Sequence, residues 1–78
     1  MSKFCKLFEI ENHQVLVSIK FDEEEEEEFL EIQTQINGNN ATAKLEGFKN
    51  EASIRKGLDL YCQEDARRFF VSMKNLLS

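Results

Sequence analysis

The sequence predicts an α+β domain: a four-stranded antiparallel β-meander followed by two C-terminal α-helices packed on one face of the sheet. Three observations predict it. Apolar residues alternate with period two up to about residue 48. From there they recur at three- and four-residue spacing to the C-terminus. Clusters of turn-forming residues, Asn12-His13 and Asn37-Gly38-Asn39-Asn40, punctuate the first half.

Strand one is expected over 3–10, with Phe4, Lys6, Phe8 and Ile10 on one face and Cys5 and Leu7 on the other. In strand two, Val15, Val17, Ile19 and Phe21 share one parity, and Leu16, Ser18, Lys20 and Asp22 the other. A two-residue turn at Asn12-His13 sets Ile10 opposite Val15, Phe8 opposite Val17 and Phe4 opposite Phe21. That one assumption gathers seven apolar side chains on one face, with Lys6 as the exception. A one-residue slip would scatter them.

Strand three is expected over 26–36, with Leu30, Ile32, Thr34 and Ile36 inward and Phe29, Glu31, Gln33 and Gln35 outward. Asn37-Gly38-Asn39-Asn40 tolerates positive φ and marks a hairpin. Strand four then covers 41–48, with Ala41, Ala43, Leu45 and Gly47 inward. A tight Asn37-Gly38 turn opposes Glu31 to Lys44. A four-residue loop opposes Glu31 to Glu46 and Phe29 to Phe48. Both registers keep the same inner face.

Asn50 is the expected N-cap of a helix over 51–60, followed by Glu51 in its first turn. Ile54, Leu58 and Tyr61 form its stripe, and Gly57 weakens it by up to about 1 kcal/mol relative to Ala. The last helix spans 63–77, with Ala66, Phe69, Phe70, Met73, Leu76 and Leu77 on one side. Glu64 and Asp65 at its start and Lys74 near its end complement the helix dipole.

The 78 residues, 41% apolar with seven Phe and no Pro, suit one small domain rather than a disordered chain. A core this small contributes roughly 3–5 kcal/mol net, so a large substrate cavity is not expected. No run approaches the roughly 20 apolar residues of a membrane span. The N-terminus mixes charge with apolar residues, unlike a secretory signal, so the expected location is the cytoplasm, with Cys5 and Cys62 as buried, reduced thiols. Charge is uneven. Residues 1–39 hold three basic and ten acidic side chains, net −7, whereas 40–78 hold seven and five, net +2. The acidic half argues against direct nucleic-acid binding.

The run Asp22, Glu23, Glu24, Glu25, Glu26, Glu27 and Glu28 stands out. It reads as a solvated connection held extended by charge repulsion, as an acidic docking surface for a basic partner, or as a weak cation site. The cation reading lacks the alternating Asp/Asn and Gly of calcium loops. The outer sheet face, with Leu7, Leu16, Phe29 and Phe48, is a second candidate surface, and a homodimer is one way to bury it. Alternatively, sheet twist scatters these groups or Phe48 folds under the first helix. Cys5, Cys62 and His13 are too few and too dispersed for a zinc site, and His13 reads as a turn residue. Arg67, Arg68 and Lys74 form a small basic edge on the last helix, which reads as a solvated face or as partners for acidic loops of the same chain, and alternatively as a grip for a carboxylate or phosphate.

No catalytic constellation, cofactor motif or glycine-rich phosphate loop is present in the sequence. No pattern in it assigns a function. The expectation is a non-catalytic interaction module whose partner is an unidentified protein or a second copy. Two alternatives are an acidic inhibitor that occupies a basic nucleic-acid-binding site, and a small-ligand protein with a pocket near Tyr61 and Arg67.

Overall fold

The computed structural model describes residues 4–77. Strands β1 (Cys5–Ile10), β2 (His13–Asp22), β3 (Glu27–Ile36) and β4 (Asn39–Leu45) form one antiparallel sheet in the order β1-β2-β3-β4. Helices α1 (Glu51–Leu60) and α2 (Gln63–Leu77) follow and pack on the same face. The expected α+β architecture is therefore the observed one. The Lys3 end of strand one lies outside the described residues.

Parity decides the core. Ile10, Val15, Val17, Leu30, Ile32 and Ile36 from the sheet meet Ile54, Leu58, Ala66 and Phe70 from the helices, all buried. Each large side chain of this kind stabilises the fold by about 1.5–3 kcal/mol when fully buried.

The first hairpin departs from expectation by one step of the ladder. Its turn residues are Glu11 and Asn12, with φ of 47° and 68°, not Asn12 and His13. Ile10 therefore pairs with His13 and Phe8 with Val15. The Phe4 carbonyl accepts from the Ile19 amide, so Phe4 lies opposite Ile19 instead of Phe21. The shift is by two residues, so every side chain keeps its face. The cause is His13. Drawn into β2, its ring lies 4.9 Å from that of Phe70, and Nδ1 donates to the Glu11 carbonyl at 2.9 Å. Those contacts, with a Lys74–Glu11 ion pair at 3.5 Å, hold Glu11 in the left-handed region that a non-glycine residue seldom takes.

The third hairpin takes the tight register. Asn37 and Gly38 have φ of 53° and 80°, and Glu31 faces Lys44. Strand β4 ends at Leu45, three residues before the expected Phe48. Gly47, at φ 93°, turns the chain toward α1.

Helix α1 has the expected bounds and cap. The Asn50 side chain accepts from the Ser53 amide at 2.9 Å, and Ser53 Oγ accepts from the Asn50 amide at 3.1 Å. Its last turn holds no basic residue. Lys6 supplies the charge: Nζ donates to the carbonyls of Asp59 at 2.7 Å and Tyr61 at 3.1 Å. The lone cation on the inner face thus caps α1 at its negative end. Helix α2 also has the expected bounds, but its stripe outruns the sheet: Leu76 is 76% exposed and Leu77 is exposed too. No described helix is long and apolar enough to cross a membrane.

Two predictions follow from the packing of α1. A Cβ on Gly57 would lie 2.8 Å from Phe48 Cε1 and 3.2 Å from Cζ. Helix propensity alone favours Ala there by about 1 kcal/mol, but the clash outweighs it. Gly57→Ala should lower stability by about 1–3 kcal/mol in urea denaturation, and Phe48→Leu in the same chain should recover part of that loss. Tyr61, half-buried with its ring 5.8 Å from that of Phe8, is the only tyrosine, and there is no Trp. Burial, then the nearby Asp65 carboxylate and Cys62, push its phenol from 10.0 up to about 12. The neutral phenol favours the fold below pH 10, and that contribution is lost as pH rises through the folded value. Ultraviolet titration should show ionisation delayed beyond pH 10 in the folded chain and returned to its ordinary value in urea.

Candidate functional site

The seven carboxylates 22–28 form a tight hairpin instead of an extended connection. Asp22 closes β2, Glu23–Glu26 make the turn, and Glu27 and Glu28 open β3, pairing with Asp22 and Phe21. Charge repulsion is overcome locally by Asp22. Its Oδ1 accepts from the amides of Glu24 at 2.9 Å and Glu25 at 3.3 Å, nucleating the turn as Asp does when it bonds its own downstream backbone. Its Oδ2 meets Lys44 Nζ at 3.1 Å. Lys44 is also 4.4 Å from the centre of the Phe29 ring and 3.7 Å from Glu46. The Lys44 hydrogen bond, reinforced by the Glu25 amide, holds the Asp22 carboxyl below its ordinary range, and the same contact raises Lys44.

Asp22 is thus committed to folding, whereas Glu23, Glu24, Glu25, Glu26, Glu27 and Glu28 make no ion pair among the described residues. They differ from the basic edge of α2. There, Arg68 meets Glu64 at 3.2 Å and Asp65 at 3.8 Å, and Lys74 meets Glu11, so two of the three basic residues of that edge pair with acids of the same chain, while Arg67 is exposed.

The inner side of this hairpin carries aromatic surface. Phe21 has the inward parity of Val15 and Val17, yet it is 59% exposed. Phe4, opposite Ile19, is 47% exposed, and Ile19 between them is half-buried. Arg55 of α1 lies 4.7 Å from the Phe4 ring centre and pairs with Glu51 at 2.9 Å. Its Nε is buried without a hydrogen-bond partner. Parity points Phe4 and Phe21 toward the helical layer; α1 reaches the Phe4 ring through Arg55, whereas Phe21 is left 59% exposed. Sequence periodicity cannot reveal this, because it reports the face of a strand and not how far a helix covers it.

The outer face divides the expected surface group. Leu7 is 60% exposed, while Leu16 and Phe29 are half-buried, Phe29 beneath Lys44. Phe48 does not belong to this face. It packs under α1 against Gly57 and Leu30, because β4 has ended and Gly47 has turned the chain. A shallow trough of about 600 Å³ crosses the outer face, lined by Leu7 and Leu16 and by the polar Gln14, Gln33, Gln35 and Thr42. Its floor is more polar than apolar.

The expected pocket site near Tyr61 and Arg67 is packed: Tyr61 lies on Phe8, its hydroxyl donates to the Asp65 carbonyl at 3.3 Å, and Ala66 is fully buried. Cys5 and Cys62 are free thiols. Cys62 is exposed, contrary to expectation, because it occupies the position before α2. There its amide and Sγ reach Asp65 Oδ2 at 3.1 and 3.3 Å. These bonds hold the Asp65 carboxyl below its ordinary value. His13 is a strand residue packed on Phe70, as above. No group of three or more His, Cys, Asp or Glu that could hold a metal ion occurs among the described residues. No protein family, characterised protein or solved structure matches this chain.

The Asp22–Lys44 pair makes the hairpin base pH-sensitive. A carboxyl held below its ordinary 3.8 stabilises the fold above about pH 4 and loses that contribution as pH falls through its folded value. Asp22→Asn keeps the turn acceptor but removes the charge. The loss of stability between neutral pH and about pH 3, measured by urea denaturation, should therefore be smaller in Asp22→Asn than in the wild type. Added salt should narrow the difference.

Proposed function

We propose that this protein is a non-catalytic protein-interaction module that presents the β2–β3 hairpin end of the sheet to a partner. The observation that carries the reading is Phe21, of inward parity yet 59% exposed at the β2–β3 hairpin end of the sheet. Large aromatic side chains at a polar rim are the side chains that anchor interfaces. The six glutamates of the same hairpin, which make no ion pair among the described residues, suit orientation and partner selection more than affinity, since an exposed ion pair is worth only about 0.2–1 kcal/mol.

The outer face suits a homodimer less well. Two copies of a concave, polar trough would leave a void between them, and a net charge of −5 on each copy opposes association. The alternative of an acidic inhibitor that occupies a basic nucleic-acid-binding site draws on the same glutamates. It differs in requiring charge alone.

The two readings separate on one substitution. Phe21→Ser changes a largely exposed side chain and should shift stability by about 0.5 kcal/mol or less. The interaction module predicts that the partner captured from native lysate by the wild type is lost on the Phe21→Ser bait. The charge-only inhibitor predicts capture by both baits and loss only when Glu23–Glu28 are replaced by Gln. Capture insensitive to both changes would move the interaction elsewhere on the surface.

A further inference from the structure

We infer that strand β4 is an open docking edge, to which an extended basic segment of another protein adds as a fifth strand. Strand β4 is two strands away from Phe21 on β2, so this surface stands or falls independently of the hairpin ring.

The Asn37-Gly38 turn has two residues of positive φ and closes on the pair Ile36–Asn39. A two-residue turn of this kind closes on a hydrogen-bonded pair, and such pairs alternate along an antiparallel ladder. Asn39, Ala41, Ala43 and Leu45 therefore bond to β3, whereas Asn40, Thr42 and Lys44 point their N–H and C=O groups away from it. Among the described residues no hydrogen bond reaches those outward groups. The opposite edge differs. By the same alternation Cys5, Leu7 and Glu9 point outward on β1, and there the Glu9 carbonyl accepts from Gln63 Nε2 at 3.0 Å.

Open edges are ordinarily blocked by a very short strand, a proline, a bulge, an inward charge or an outstretched lysine. Strand β4 has seven residues, no proline and a one-to-one register with β3, and its inward residues are Ala41, Ala43 and Leu45. Its one lysine, Lys44, is drawn back over the sheet, 4.4 Å from the Phe29 ring centre and 3.1 Å from Asp22. The edge is left to whatever extended backbone can match its groups.

Side chains narrow the class. A strand added to β4 sets its edge-bonding residues beside Asn40, Thr42 and Lys44 on the outer face. Its intervening residues lie beside Ala41, Ala43 and Leu45, the last 42% exposed. The first set is therefore polar and the second apolar. Asp22 and Glu46 share Lys44, and Glu31 stands across from it, three carboxylates to one ammonium. On a chain of net charge −5, that balance favours a basic segment and disfavours a second copy.

The test titrates the full chain with a peptide of about nine residues, alternating threonine and valine with a lysine at each end. Two further versions carry N-methyl groups on the threonines or on the valines, and another has glutamate at both ends. Binding is read by fluorescence anisotropy and mapped by amide hydrogen exchange. The amides of Asn40, Thr42 and Lys44 should exchange fast in the free chain and become protected on binding, while those of Ala41 and Ala43 stay slow throughout. Methylated threonines, whose N–H groups face β4, should weaken binding at least about tenfold. Methylated valines, whose N–H groups face away, should leave it unchanged. Thr42→Pro removes an outward N–H without breaking a ladder bond and should also weaken binding; if it fails to fold, the methylated peptides decide on the wild type. Phe21→Ser should bind the peptide as the wild type does. Equal binding of the threonine-methylated or glutamate-ended peptide, protection away from β4, dependence on Phe21, or no binding would overturn the inference. Protection of the same three amides in the free chain, as it dimerises, would overturn it too, by placing a second copy on the edge.

Discussion

The structure turns on a mismatch between the length of the sheet and the reach of the two helices that cover it. An antiparallel sheet with one apolar face must bury that face against something. Here the strands that carry it, β2 and β3, are ten residues long, while α1 supplies only two fully buried side chains, Ile54 and Leu58. Helix α2 supplies Ala66 and Phe70. Those four side chains reach the rows from Ile10 to Leu30 and no further. The last inward position on β2, Phe21, is left at the surface by arithmetic of length and not by any change of pattern.

Several details then have a single cause. Helix α1 can sit against Leu30 only if position 57 has no side chain, because Phe48 occupies that space; the glycine that weakens the helix locally is what lets it pack. Its C-terminus arrives over β1, and the inward Lys6 that breaks the apolar pattern of that strand is the group that meets its carbonyls. At the other end of the sheet the imidazole of His13 fills the space beside Phe70 and pulls the first turn back by one residue. Local preference gives way to packing in each case, by amounts of about 1 kcal/mol that a few van der Waals contacts readily exceed.

This explains which parts of the molecule were legible in the sequence. The inner face of every strand, both helices with their bounds and the Asn50 cap follow from periodicity and local chemistry, which are one-dimensional signals; the choice of the tight Asn37-Gly38 turn over a four-residue loop did not, because both registers keep the same inner face. The first hairpin register was not legible, because Asn12 suits either turn and the deciding contact is with Phe70, more than fifty positions away. Phe48 was assigned to the wrong surface by extending period two past the true end of β4. The carboxylate run was visible at once, but its partition was not: one member, Asp22, is bound to Lys44 across the sheet, and the other six make no ion pair among the described residues. Phe21 was read as core, since parity is silent about coverage.

The same mismatch bears on whether exposed Phe21 is a defect of a marginal fold or a retained surface. A protein of 78 residues gains little net stability from its core, and burying one more ring would add up to about 3 kcal/mol. Shortening the hairpin by one rung, or a polar residue at 21, would remove the exposed ring without touching the rows beneath the helices. The chain instead keeps the ladder paired through Asp22 and Glu27, with Asp22 tied to Lys44, and sets the four glutamates Glu23–Glu26 beyond it. Like charges at that tip also oppose edge-to-edge and face-to-face self-association, which an exposed aromatic strip would otherwise invite. An exposed ring guarded by charge of one sign disfavours contact with copies of itself and with anionic surfaces.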